Sequence, residues 1–413
     1  MTNGLFSPEP SRNIRNYSWY YALTGLTFTV PIWVAFYLRT ITLEQTAFIN
    51  AIADLIVVSL QIPTGALADL LGRKIMVTIG QAMRALMFFM LPFATNFTSI
   101  LMLNLIMAIG ESMGSGADSA LLYDTLKSEG RESEFGLIYT KILTYYRICL
   151  ITGSLIGGLL YTYSYGLPYY LRSIAFLFSA FSIFKMVEPK REVVRVNLVS
   201  TYKKTLDGLK GILRSSFVRK LSLYYIAVGS ITWSCLYYFN QPFAYAFGWS
   251  TTQMSYITAG LYLISSLVVY YLTSSKNILT RERVYLGFPI LMIVALLPGL
   301  FVGKWVGLIL LVLIQIAGSS RFSILDRYVN LEFDSSHRAT SLSSLNMLVS
   351  LGMAGLLFVG GRIQGFADTR MVFTLLGLLS VMVVTPLAII LMRDRRQHKL
   401  GAIQQRYNKA FNL

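Results

Sequence analysis

The chain has 413 residues, of which 55% are hydrophobic and 13% are charged, and its formal net charge is +17. An ordinary soluble domain contains about 25% charged residues, so the composition excludes a soluble globule of this length. Apolar runs of the length that a membrane-spanning helix needs, about 20 residues, recur along the chain. We therefore predict an integral membrane protein, and we attribute the positive charge to basic residues on the cytoplasmic side rather than to a nucleic-acid-binding surface.

Twelve apolar runs, separated by charged residues and turn formers, predict an all-α fold with twelve transmembrane helices in two six-helix bundles. The predicted spans are residues 17–38, 46–68, 75–93, 99–122, 136–160, 168–187, 219–245, 251–274, 284–303, 305–326, 339–361 and 371–392. The predicted domains are an N-terminal bundle (1–187), a cytoplasmic basic amphipathic linker (188–218), a C-terminal bundle (219–392) and a cytoplasmic basic tail (393–413).

The linker predicts a helix that lies on the membrane surface. Its apolar positions recur at helical spacing among basic residues, at Leu198, Tyr202, Leu206, Leu209 and Ile212. Such a pattern is typical of an amphipathic interfacial helix. If both termini lie inside, most basic residues of the connections also fall inside, as the positive-inside rule requires. We therefore expect both termini in the cytoplasm.

Side chains suited to metal binding or nucleophilic catalysis are sparse. The two cysteines, Cys149 and Cys235, lie within apolar runs, and the two histidines, His337 and His398, lie at or beyond the predicted membrane edges. Neither pair has the spacing of a metal site, and no P-loop pattern is present. We expect no metal, no cofactor and no enzymatic activity.

A polar stretch, TGALADLLGRK at residues 64–74, interrupts the apolar sequence between predicted spans 2 and 3. Its two glycines allow close helix approach and a tight turn. The stretch resembles the signature loop of the major facilitator superfamily, Gly-x-x-x-Asp-x-x-Gly-Arg-Lys, and the layout of six plus six spans agrees. The resemblance implies the major facilitator fold and a cytoplasmic gate, in which Asp124 joins the loop. The gate residues are Gly65, Asp69, Gly72, Arg73, Lys74 and Asp124.

Other segments resemble the same superfamily. TGSLIGG, residues 152–158, is similar to the glycine-rich motif of its drug/proton antiporter branch, with Ser154 where that branch has proline. Residues 116–136 and 337–345 resemble loops common in bacterial members. The resemblance implies a monomeric secondary transporter in a bacterial inner membrane.

Ionisable residues inside spans cost roughly 2.5–3.5 kcal/mol each on insertion scales and are functional candidates by default. The first half contains Asp54, Arg84, Glu111, Asp118, Lys141 and Arg147. Depths calculated from a rise of about 1.5 Å per residue predict the pairs Glu111–Arg147, Asp118–Lys141 and Asp54–Arg84. A carboxylate whose cationic partner moves changes its proton affinity, so Glu111 is the first candidate for proton coupling and Asp54 the second. A static set of ion pairs is the alternative.

The second half contains fewer charges at mid-depth and offers polar and aromatic candidates for substrate binding. These are Trp233, Tyr237, Asn240 and Gln241 at helical spacing in span 7, with Gln315 in span 10 and Asn346 in span 11. Packing is the alternative role of this stripe. Arg321, Asp326 and Arg327 form a further group near the end of span 10, which we interpret as structural or gating.

The function that these observations favour is secondary active transport of a small organic solute by rocking alternating access, coupled to protons and directed outward. The expected partners are the solute, protons and membrane lipids, with no nucleic acid. One alternative is a proton-coupled importer of a nutrient or a metal chelate. Another is a non-transporting receptor or scaffold on a carrier fold.

Overall fold

The computed structural model describes residues 11–189, 210–213, 215–274, 280–333 and 338–394. The regular elements of these residues are helices, without a strand among them, which confirms the predicted all-α class. Most of the predicted basic linker, including Leu198, Tyr202, Leu206 and Leu209, lies outside the described residues, as does the basic tail beyond residue 394.

The first half of the chain forms eight α-helices in the described residues. They are α1 (Arg12–Gly25), α2 (Trp33–Tyr37), α3 (Leu43–Leu71), α4 (Arg73–Met90), α5 (Phe97–Gly114), α6 (Ala117–Ser128), α7 (Phe135–Tyr163) and α8 (Leu167–Phe184). The longest, α3 and α7, have 29 residues each. At 1.5 Å per residue such a helix is about 44 Å long, which exceeds the hydrocarbon core of a bilayer.

The α-helices of the second half are interrupted by π-helical turns. The described helices are α9 (Ser216–Ser234), α10 (Asn240–Tyr245), α11 (Thr251–Ser274), α12 (Arg281–Leu296), α13 (Lys304–Ser320), α14 (Asp326–Asn330), α15 (Arg338–Gln364) and α16 (Thr369–Leu379). The π-helical turns are Cys235–Phe239, Arg321–Leu325 and Ser380–Val384. A π turn inserts one residue into the helical repeat and is frequent at functional sites.

Ten helices among the described residues are long and apolar enough to cross a membrane. The first and seventh predicted spans are not among them. Span 1 is divided into α1 and α2 by residues 26–32, where Pro31 lacks the N–H that a continuous helix needs. Span 7 runs through α9, a π turn and α10, and its many tyrosine, serine, asparagine and glutamine side chains lower its mean hydropathy.

Residue contacts divide the chain into two compact units. The first unit contains residues 1–41, 52–201 and 250–262, and the second contains residues 42–51, 202–249 and 263–413. Residues 42–51, at the start of α3, belong to the second unit, where Tyr238 donates a 2.8 Å hydrogen bond to the Leu43 carbonyl. Residues 250–262 belong to the first unit, where the Gly158 N–H donates to Ser255 Oγ at 2.7 Å. The domain boundaries expected from the sequence stay a prediction.

Candidate functional sites

The turn between α3 and α4 contains the polar stretch that the sequence singles out. Gly72 has φ of +110°, a conformation that L-residues with a side chain rarely adopt. This turn lets Arg73 begin α4 directly after Leu71 ends α3. The helix start therefore lies beside the last turn of α3, which contains Asp69.

Three of the predicted gate side chains meet at this turn. Arg73 Nη1 lies 2.6 Å from Asp124 Oδ2, and Arg73 Nη2 lies 3.8 Å from Asp69 Oδ1. Asp124 belongs to α6, so the guanidinium connects α4 to α6 and to the end of α3. The Lys74 ammonium lies 5.0 Å from the centre of the Phe184 ring, and no ion pair in the described residues joins it to Asp69 or Asp124.

Glu188, which the sequence-based list of gate residues omits, completes the turn. Its Oε1 accepts a hydrogen bond from the Arg73 N–H at 2.9 Å, and its Oε2 accepts from the Lys74 N–H at 3.0 Å. A carboxylate at a helix N-terminus satisfies free N–H groups and interacts favourably with the helix dipole. The sequence signal for this role is weak, since it consists of an acid just after span 6 whose partner lies 115 residues away.

A group of ionisable side chains lies within the predicted spans of the first unit. Asp54 of α3 and Glu111 of α5 lie within electrostatic range of each other. Arg172 of α8 lies within range of Glu111, and Arg84 of α4 lies within range of both Arg172 and Asp118. The unit therefore brings three carboxylates and two guanidiniums together inside predicted spans.

The pairs expected from depth are not the ones that the structure forms. The side chains of Lys141 and Arg147 are exposed. Among the described residues, no ion pair joins Arg147 to Glu111, Lys141 to Asp118 or Arg84 to Asp54. Depth along the membrane does not determine which side of a helix a residue occupies, so two residues at one depth can point away from each other.

Arg172 is a functional candidate that is absent from the sequence-based predictions. It is 7% exposed, and its Nε and Nη1 atoms have no hydrogen-bond partner in the described part of the chain. The guanidiniums of Arg84 and Arg172 each lie 4.7 Å from the centre of the Phe176 ring. Phe88 stacks on Phe176 at 5.4 Å. The sequence contains a signal for this residue. Arg172 lies inside the apolar run of span 6, and ionisable residues inside spans are functional candidates by default.

Asp118 lies at the start of α6 among tyrosines of α1. Its Oδ2 accepts hydrogen bonds from the hydroxyls of Tyr20 at 3.5 Å and Tyr21 at 3.4 Å, and its Oδ1 accepts from the Ser119 N–H at 2.6 Å. The Tyr21 hydroxyl also lies 3.4 Å from the Tyr139 hydroxyl of α7. Asp118 therefore links α1 to α6, rather than pairing with Lys141 as expected.

The glycine-rich motif of α7 packs against the break in span 1. Gly153 contacts the backbone of Leu26 and Thr27, and Gly157 contacts the backbone of Phe28. Ser154 lies between them with its Oγ 3.4 Å from Thr27 Oγ1. The motif therefore provides the space that the non-helical residues 26–32 require.

The predicted substrate-binding stripe of span 7 does not share one face. Tyr237 is 62% exposed, whereas Asn240 is 7% exposed and its Nδ2 lies 3.4 Å from Gln315 Oε1. The π turn Cys235–Phe239 adds a residue between Trp233 and Asn240, so the spacing of an α-helix does not apply there. Gln241 is partly buried.

Trp233 instead belongs to a cluster around Arg321. Trp233 stacks on Phe322 with ring centres 5.4 Å apart. Arg321 Nη2 donates to the Tyr225 hydroxyl at 2.8 Å and to Asn346 Oδ1 at 3.1 Å. Two predicted substrate residues, Trp233 and Asn346, therefore meet at an arginine for which the sequence favours a structural or gating role.

In the described part of the chain, ten helices are long and apolar enough to cross a membrane, and ionisable side chains lie within several of them, which defines a polytopic membrane protein. The family model described as Major Facilitator Superfamily matches residues 19–275. The chain therefore belongs to the Major Facilitator Superfamily. This assignment agrees with the ten membrane-capable helices among the described residues, and the chain is an integral membrane protein.

Individual relatives agree with this assignment. An uncharacterised MFS-type transporter of Bacillus subtilis (strain 168), YxaM, is 24% identical over 247 residues, which is 58% of this chain and 60% of the relative. The nucleoside transporter NupG superimposes with a TM-score of 0.69 at 16% identity, covering 92% of this chain and 98% of NupG. A bacterial homologue of the human lysosomal transporter Spinster has a TM-score of 0.71 at 15% identity, covering 94% and 98%. The match to YxaM spans less than two thirds of the length of that relative. At 15–16% identity, the two solved structures show only that the fold is shared.

Proposed function

We propose that the chain is a secondary active transporter that exports a small organic solute in exchange for protons. The observation that supports proton coupling most directly is the proximity of Asp54 and Glu111 within the spans of the first unit. Two carboxylates that share a site disfavour simultaneous ionisation. We propose this pair as the site that binds and releases the coupled proton.

The buried guanidinium of Arg172 supplies a cation beside this acid pair. Arg172 lies within electrostatic range of Glu111. A nearby cation favours the ionised carboxylate, whereas removal of the cation favours the protonated form. We propose that a movement of α8 relative to α5 separates this pair and so couples proton transfer at Glu111 to the conformational cycle. Asp69, Arg73 and Asp124 would form the gate at the α3–α4 turn.

The outward direction of transport is supported by one sequence feature. The glycine-rich motif of α7 resembles that of the drug/proton antiporter branch, and in the structure it packs against the break in span 1. We place the protein in a bacterial inner membrane, with both termini in the cytoplasm, and propose that it functions as a monomer.

The test is proton-driven flux in proteoliposomes, measured for the wild type, Glu111→Gln and Glu132→Gln. The solute is one that raises the melting temperature of the purified wild type in a thermal-shift screen. We expect Glu111→Gln to abolish net flux driven by a pH gradient and to retain solute exchange at equal pH, because exchange needs no net proton transfer. Glu132 is exposed and does not belong to the group of ionisable side chains around Glu111, so Glu132→Gln should retain both activities.

Export is tested in the same vesicles by reversing the pH gradient. Solute accumulation on the acidic side supports exchange for protons, whereas accumulation on the alkaline side contradicts it and indicates symport. If Glu111→Gln and Asp54→Asn each retain wild-type net flux under a pH gradient, the proposed coupling site is wrong.

A further inference from the structure

Arg321 is a cation that the second unit encloses completely, with 0% relative exposure. One terminal nitrogen, Nη2, donates to Tyr225 and Asn346, which are both neutral side chains. The other donors, Nε and Nη1, are buried and have no hydrogen-bond partner among the described residues. Unpaired donors on a buried charged group are destabilising. The described residues leave Nε and Nη1 without the acceptors that would offset this cost.

The acid Asp326 does not supply those acceptors. Asp326 lies within electrostatic range of Arg321, but Tyr225 connects the two residues. The Tyr225 hydroxyl accepts from Arg321 Nη2 and donates to Asp326 Oδ1 at 2.7 Å. In the described part of the second unit, no ion pair joins Arg321 directly to a carboxylate. Asp326 therefore balances charge from the Tyr225 side and leaves Nε and Nη1 available.

Aromatic rings surround the same guanidinium. Its central carbon lies 4.5 Å from the ring centre of Tyr225, 4.6 Å from that of Trp233 and 5.0 Å from that of Phe322. Trp233 and Phe322 are close to parallel, at 27°. Phe322 is 43% exposed, so it is the most exposed of the three rings and the one that a ligand would displace most easily.

Two π-helical turns and a glycine of α9 lie close to Arg321. Arg321 begins a π-helical turn, and a second π-helical turn starts two residues after Trp233. Gly229 of α9 lies against the guanidinium, where an added methyl group would approach Nε to 3.0 Å. The same added methyl group would lie 2.8 Å from Val349, so α9 and Val349 pack closely against the Nε edge and supply no acceptor for it.

We propose that Arg321 binds the carboxylate of an aromatic organic acid, whose ring stacks against Trp233 and Phe322 once Phe322 rotates. The unpaired nitrogens supply charge-assisted hydrogen bonds to the anion, and the indole and phenyl faces accept a planar ring. This inference rests on the proposed transport of a small organic solute, and it does not depend on proton coupling.

The experiment is equilibrium binding to the purified protein in detergent, without a pH gradient, by titration calorimetry. The probes are 2-naphthoate and its neutral analogue 2-naphthamide. The variants are Arg321→Gln, Arg321→Lys, Trp233→Leu and the control Arg219→Gln, which removes one charge from an exposed position of α9. We expect the wild type to bind 2-naphthoate at least about tenfold more tightly than 2-naphthamide, because the amide lacks the charge.

The variants separate the two parts of the site. Arg321→Gln should weaken 2-naphthoate binding by about tenfold to a hundredfold and change 2-naphthamide binding little. Arg321→Lys should retain part of the preference, since it keeps the charge but loses the planar donor set. Trp233→Leu should weaken both probes alike, and Arg219→Gln should bind as the wild type does.

Two outcomes would overturn the proposal. One is a wild type that binds 2-naphthoate no more tightly than 2-naphthamide, which includes the absence of binding by either. The other is an Arg321→Gln protein that binds 2-naphthoate as the Arg219→Gln control does. If Arg321→Gln does not fold, the two probes are compared on Arg321→Lys. A preference for 2-naphthoate as strong as that of the wild type then overturns the proposal. Because no pH gradient is imposed, failure here is distinct from failure of the coupling test on Glu111.

Discussion

Glu188 accepts hydrogen bonds from the backbone N–H groups of Arg73 and Lys74, so a residue beyond span 6 caps the helix that begins span 3. Both carboxylate oxygens are used, at 2.9 and 3.0 Å. The same helix start presents the Arg73 side chain to Asp69 and Asp124. The cap and the charged cluster therefore form one structural element at the α3–α4 turn.

The first prediction concerns this cap. Replacing Glu188 with alanine removes the acceptor for two N–H groups, and we expect the free energy of unfolding to fall by about 1–2 kcal/mol. Glu188→Gln should lose less, because its amide oxygen still accepts one hydrogen bond. The melting temperatures of the purified variants in detergent check this order. Equal melting temperatures for Glu188→Ala and the wild type would contradict it.

The second prediction compares the two acids that contact Arg73. Asp124 is closer and less exposed than Asp69, whose side chain is 51% exposed. Exposed ion pairs contribute about 0–1 kcal/mol to stability, so Asp69→Asn should express and melt as the wild type does. We expect it to lower transport turnover, because the gate loses a charge. Asp124→Asn should lower turnover further. Flux per mole of folded protein is the measurement, and parallel loss of expression and flux would indicate a purely structural turn.

The third prediction concerns the Phe176 ring, which contacts the guanidiniums of Arg84 and Arg172. Phe176 is 1% exposed and contacts Arg84, Arg172 and Phe88. Phe176→Leu removes the aromatic ring that both guanidiniums contact, and we expect a loss of about 2 kcal/mol in unfolding free energy. Phe178→Leu is the matched control, since Phe178 is 57% exposed on the same helix. Denaturant unfolding in detergent should separate the two, and equal effects would argue against the cation–π arrangement.

The fourth prediction concerns the crossing of α4 and α5, which sets the distance between their charged residues. A methyl group added at Gly110 would lie 2.7 Å from the Gly80 carbonyl oxygen and 3.0 Å from Met83 Cβ. Gly110→Ala should therefore push the helices apart and cost about 1–3 kcal/mol. Gly114→Ala, four residues along the same helix, meets no atom within 4 Å and should be neutral or slightly stabilising. Melting temperatures of the two variants give the comparison.

The features that could be predicted from the sequence are those with local physical causes. A helix that crosses lipid must satisfy its backbone hydrogen bonds internally and present apolar side chains, so apolar runs identify most spans without tertiary information. The α3–α4 turn is equally local, since Gly72 supplies the positive φ and Asp69 and Arg73 are four residues apart. The twelve-span count is harder to predict, because the break at residues 26–32 depends on packing against Gly153 and Gly157 of α7.

Which charged residues meet depends instead on the packing of the helices. Depth in a span is calculated from sequence position, but the direction of a side chain around its helix and the rotation of that helix in the bundle depend on every neighbour. For this reason Glu111 lies near Asp54 and Arg172 instead of pairing with Arg147. The surroundings of Arg321 could not be predicted for a further reason. The guanidinium is enclosed by α9, α15 and its own π turn, and a π turn shifts the helical spacing from which a sequence-based prediction starts.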